Sequence, residues 1–120
     1  LLRYANAGHP RPYRVAPDGR VLPLGEVTGP ILGILDGPRF GDGRERLRRG
    51  ERLVLYTDGV LEARAPDGEF FGEDRFASLL SGHAAGPLDL LCGEVTRRLD
   101  RFQDGRRHDD ATLLALERRL

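Results

Sequence analysis

Three carboxylates of this 120-residue chain sit where a sheet protein places chemistry. Leu53-Val54-Leu55-Tyr56-Thr57-Asp58-Gly59-Val60 runs an apolar strand directly into Asp58. A run without polar alternation reads as a strand buried on both faces, so its end is rigid and its first carboxylate is aimed. Arg107-His108-Asp109-Asp110-Ala111-Thr112 leads in the same way into Leu113-Leu114-Ala115-Leu116. Carboxylate oxygens at neighbouring strand ends suit a hard divalent cation, which takes oxygen ligands and keeps several waters. Such an ion acidifies a bound water and neutralises charge on a phosphoryl group. Each segment also has a plainer reading. Asp-Gly is a common turn pair, with Gly at positive φ. Asp109 and Asp110 repel one another, and Arg106 or Arg107 could compensate them in an ordinary turn.

A third candidate is His9, in Asn6-Ala7-Gly8-His9-Pro10, where a small-residue turn presents an imidazole at a strand end. Such a group could protonate a leaving alkoxide, or simply close the turn. His83 reads as a loop residue, and His108 neighbours Asp109 by sequence alone.

The elements that must position these groups are strands first and helices late. Strands are predicted at Leu2–Asn6, Tyr13–Ala16, Val21–Leu24, Arg39–Leu47, Arg52–Thr57 and Ala111–Glu117. Pro17-Asp18-Gly19-Arg20 predicts a hairpin turn between the second and third. Glu73–Leu80 predicts a short helix, and Leu88, Leu91, Val95, Leu99 and Phe102 repeat at helical spacing in a longer one beginning near Pro87. Helices laying apolar stripes on a sheet make an α+β fold.

Composition narrows the function. Nineteen basic and nineteen acidic residues give a formal net charge of zero, which argues against a bulk nucleic-acid binder. Every basic residue is arginine, a bias that fits a GC-rich bacterial coding sequence, and the clusters Arg44–Arg49 and Arg97-Arg98 read as solvated faces. No apolar run is long enough for a transmembrane helix. Cys92 is the single cysteine, so no disulfide forms within the chain, and a reducing cytoplasm is its natural setting. No glycine loop of the phosphate-cradling type appears, which weighs against an ATPase.

Taken in order, Asn6-Ala7-Gly8-His9-Pro10, Gly29-Pro30-Ile31-Leu32-Gly33-Ile34, the segment from Gly50 through Asp58-Gly59-Val60-Leu61-Glu62-Ala63, Glu69-Phe70-Phe71-Gly72 and Asp109-Asp110-Ala111-Thr112-Leu113-Leu114 resemble the motif series of the PPM-type metal-dependent serine/threonine phosphatases, SpoIIE/RsbU-like branch. The resemblance covers the C-terminal part of that catalytic domain. The family's upstream Asp-x-x-Gly-His-Gly loop is not matched, so residues 1–120 are expected to be one piece of a larger protein, with the first half of the domain missing.

The resemblance implies the C-terminal portion of a four-layer αββα sandwich. It also implies a two-metal Mn²⁺ or Mg²⁺ site in which Asp58 and Asp109 ligate, Asp110 being the alternative, and a bridging acid comes from the missing half. It places His9 near the metals, as catalytic or supporting residue, and sets Gly59 and Glu62 around Asp58, where Glu62 supports the turn. The implied substrate is a phosphorylated STAS-domain anti-sigma-factor antagonist of bacterial partner-switching signalling. The alternative is a non-catalytic or truncated module that binds the same partner. Neither nucleic acid nor membrane is an expected partner. Half a sandwich leaves apolar faces uncovered, so self-association is an expectation too.

Overall fold

The computed structural model describes residues 1–37, 39–107 and 109–120. Its elements are β1 (Leu2–Tyr4), β2 (Tyr13–Val15), β3 (Val21–Pro23), β4 (Gly43–Glu45), β5 (Arg52–Tyr56), α1 (Asp58–Leu61), α2 (Gly72–Gly82), α3 (Leu88–Phe102) and β6 (Leu113–Glu117). Four strands form an antiparallel sheet in the order β3-β2-β5-β6, and β1 pairs with β4 in a separate two-stranded sheet.

Alternation along the strands gives the larger sheet two unlike faces. One carries Tyr13, Val15, Val54 and Tyr56, which bury against Phe76 and Leu80 of α2 and Leu91, Val95 and Leu99 of α3. The α3 residues recur every fourth position, so a single stripe of that helix meets the sheet. Tyr13 stacks on Tyr56 with centroids 5.5 Å apart, and Phe76 meets both edge-on.

The other face carries Leu22, Arg14, Leu53 and Leu116 in one row and Leu55 and Leu114 in the next. Leu114 and Leu116 are 53% and 50% exposed. The whole body measures 43 × 38 × 19 Å, and its thin dimension is that of one helix layer on one sheet. Arg14 reaches from the open face to Glu45 at the end of β4, at 3.0 Å. One helix layer, one sheet and a second two-stranded sheet fit the expected C-terminal portion of the αββα sandwich.

The β2–β3 hairpin turns at Pro17–Arg20 as the sequence predicts, with Gly19 at φ 93° and Asp18 accepting the Arg20 N–H. Every strand is shorter than predicted, β2, β3 and β5 by one residue, β1 and β6 by two and β4 by six. β4 is confined to Gly43–Glu45 because only those residues find partners in β1. β1 ends at Tyr4, and Asn6 leaves the strand to donate its N–H to Thr28 Oγ1 at 2.7 Å.

The start of β5 is closed by Arg52, whose side chain is 4% exposed. Its guanidinium donates to Glu117 at 2.9 Å, to the His83 carbonyl at 2.8 Å and to the Gly86 carbonyl. It thereby ties β6 and the α2–α3 connection to the central strand. Among the described residues no helix is long and apolar enough to cross a membrane.

Candidate functional site

The site forms where β5 and β6 run out together. The last ladder pair is Tyr56 with Leu113. One residue on, Thr57 is still extended, at φ −96° and ψ 163°, and donates its N–H to the Thr112 carbonyl at 3.1 Å. The Thr57 hydroxyl accepts the Thr112 N–H at 2.9 Å. The chain then bends into the single turn of α1, with Asp58 as its first residue and Glu62 closing it by an N–H bond to the Asp58 carbonyl at 2.9 Å.

This geometry corrects the turn reading of Asp58-Gly59. Gly59 is helical and buried, not at positive φ. Its hydrogen side chain answers a different need. A Cβ at residue 59 would stand 2.1 Å from the Asp110 carbonyl oxygen. The missing methyl group lets the Asp109-Asp110 segment come directly against the turn that carries Asp58.

Asp58, Asp109 and Asp110 are all exposed. Among the described residues none of the three forms an ion pair. Of the two arginines expected to compensate the pair, Arg107 bonds Asp100 at 3.2 Å, and among the described residues Arg106 forms no ion pair with either aspartate. Asp109 Oδ1 accepts the N–H of Asp110 at 2.7 Å, the local bond of a short Asx turn. Beside them a groove of about 440 Å³ opens between α3 and the approach to β6, lined by Asp109, Asp110, Thr96, Asp100, Gln103 and Arg107 among others. Under Asp58, burial pushes the Tyr56 phenol well above its ordinary pKa, and Tyr13, Glu73 and Asp58 add to the push. Tyr56 is therefore a neutral group at physiological pH.

The donor set suits a hard divalent ion in kind, being oxygen only. In number it is partial, because among the described residues no three His, Cys, Asp or Glu side chains converge on one point. Two carboxylates with water filling other positions is an ordinary share for Mg²⁺ or Mn²⁺. His9 lies on the turn after β1, with its N–H on Asn6 Oδ1 at 2.8 Å and its Nδ1 2.9 Å from the Pro10 carbonyl oxygen. Among the described residues no hydrogen bond joins it to Asp58, Asp109 or Asp110. His108 lies outside the described residues.

Against this geometry, the family profile described as stage II sporulation protein E (SpoIIE) matches residues 1–119. The chain belongs to the SpoIIE family. It is 31% identical over 118 residues to phosphoserine phosphatase RsbU of Bacillus subtilis (strain 168), across 98% of this chain and 35% of that protein. Among solved structures it resembles the RsbU and RsbW domains of Rv1364c from Mycobacterium tuberculosis, with a TM-score of 0.79 and 35% identity over 98% of this chain and 32% of that one. The SiaA-PP2C domain of Pseudomonas aeruginosa follows at a TM-score of 0.78 and 29% identity, over 96% of this chain and 45% of that one. This SpoIIE-family chain thus spans about a third of the length of RsbU. Two residues of the site escaped the sequence reading, Thr57 and Thr112. The only signal available was a hydroxyl next to each aspartate-bearing segment, too common to single out.

Proposed function

We propose that the chain is the C-terminal part of a metal-dependent protein serine/threonine phosphatase domain that dephosphorylates a STAS-type anti-sigma-factor antagonist. The observation that carries this reading is the pair of carboxylate segments held against each other, by the Gly59 contact with Asp110 and the Thr57–Thr112 bonds, yet among the described residues without arginine partners. The phosphoserine phosphatase activity named for RsbU, and the pairing of RsbU and RsbW domains in the mycobacterial structure, support the same reading.

In it, Asp58 and Asp109 hold Mn²⁺ or Mg²⁺, with Asp110 as the alternative to Asp109. The bound ions supply an acidified water and neutralise phosphoryl charge. Asp58 is presented rigidly because β5 behind it is buried and α1 fixes its backbone. Gly59 clears the space for the partner segment. Glu62 closes the turn, and His9 stands as the candidate proton donor to the leaving oxygen.

The second reading, a module that binds the same phosphoprotein without turnover, is favoured by the lack of three converging ligands among the described residues. One experiment separates the two. The full-length protein is incubated with a phosphorylated STAS-domain protein and with the phosphopeptide excised from it, in Mn²⁺ and in chelator. A phosphatase hydrolyses the folded substrate only with metal, and with a specificity constant about tenfold or more above that of the peptide, because a wider docking surface contributes binding. Binding without release of phosphate in any metal supports the module. Equal constants on protein and peptide describe an unselective phosphomonoesterase and withdraw the signalling role.

A further inference from the structure

We propose that Thr57 is a positioning residue that sets the separation of Asp58 from the Asp109-Asp110 segment, and through it the affinity of the site for divalent metal. The proposal rests on the reading of those carboxylates as metal ligands. The β5–β6 ladder ends at Tyr56 and Leu113. Beyond that pair the two chains part, because residue 58 opens α1 and no longer offers a strand backbone to its neighbour. At this point Thr57 carries the ladder one step further: its backbone N–H bonds the Thr112 carbonyl as a strand residue would, and its hydroxyl accepts the Thr112 N–H in place of a backbone carbonyl. The segment from Asp109 to Thr112 is thereby held one residue past the sheet.

Gly59 and Thr57 act on that segment from the two sides of Asp58, in different ways. The bare Cα of Gly59 permits approach and exerts no attraction, since what it offers the Asp110 carbonyl is clearance. Thr57 is the tether. Without its hydroxyl the Thr112 N–H loses its partner, and among the described residues only the single backbone bond from the Thr57 N–H to the Thr112 carbonyl is left to join the Asp109–Thr112 segment to the residues flanking Asp58. A metal ion demands ligand oxygens at fixed separations, so slack between the two segments weakens binding even when every carboxylate is present.

The test is manganese affinity, measured by titration calorimetry or by the electron paramagnetic resonance of free Mn²⁺, on the full-length protein. Thr57→Val keeps the shape and removes the acceptor. Its affinity is expected to fall about 10- to 100-fold, the usual effect of losing a group that orients a ligand, while metal-free melting stays near that of wild type. Thr57→Ser restores the acceptor and is expected to bind manganese like wild type. Thr57→Ala carries the same expectation as the valine variant if the latter fails to fold. Unchanged affinity in Thr57→Val, or a serine variant as weak as the valine one, overturns the proposal. Wild-type protein that binds no manganese removes the metal-site reading itself, and this proposal with it.

Discussion

The two ends of β5 both carry a charged residue, and the fold treats them oppositely. At the start, Arg52 is buried and its guanidinium reaches a carboxylate and two backbone carbonyls. Just past the other end, Asp58 is exposed and its carboxylate has no ion-pair partner among the described residues. A buried charge that lost its partners would cost several kcal/mol, so Arg52 is fastened on every side. An exposed carboxylate fixed by a rigid backbone costs the fold little and keeps its oxygens open to a ligand. The charge that is tied up holds the structure, and the one left open is free for chemistry.

The contrast can be attacked from either end. The largest effect is expected at the open one. Asp58→Asn in the full-length protein should reduce metal-dependent phosphatase turnover at least ~1,000-fold, about 4 kcal/mol of transition-state stabilisation, with the melting temperature barely moved. Asp109→Asn should follow it, and a larger loss in Asp110→Asn reverses the assignment within the pair. Steady-state kinetics beside a thermal melt reads both. At the fastened end Arg52→Ala should do the converse. It leaves Glu117 and the loop carbonyls without their donor and should cost about 3–5 kcal/mol in urea unfolding, while the turnover of molecules that remain folded is unchanged. Appreciable loss of turnover per folded molecule would mean that the two ends are coupled through the strand. Gly59→Ala is expected to destabilise less than Arg52→Ala and blurs the distinction, because the methyl group meets backbone rather than a yielding side chain. Overpacking of about 1–3 kcal/mol is expected, together with weakened manganese binding as the Asp110 segment is pushed away.

Much of the fastened structure was legible in the sequence. β5, β6, the β2–β3 hairpin, α2 and α3 all follow from local signals, namely apolar runs, a Pro-Asp-Gly turn and a leucine stripe at helical spacing. What escaped prediction depends on partners distant in the chain. Arg39–Leu47 reads as one long strand, but β1 offers partners to only three of its residues. α1 is four residues long and too short to show any period. Gly59 reads as a turn glycine, and its actual reason, the Asp110 carbonyl, lies at the far side of two helices. The same holds for Thr57, which looks like any strand-end threonine until Thr112 is placed opposite it. The carboxylates were visible as candidates because a strand end followed by Asp is a local pattern. The machinery that brings them together was invisible because it is not local.

The bond between Thr57 and Thr112 closes a span of 55 residues. During synthesis Asp58 leaves the ribosome before β6, at the end of a strand whose β6 side is still unpaired. Translation then takes roughly 3–10 s to deliver the two long helices and β6. Through that interval the two carboxylate segments have no means of meeting. A nascent chain caught short of β6 therefore carries only half of the acidic pair, and on the proposed reading the metal site is completed only once β6 has emerged.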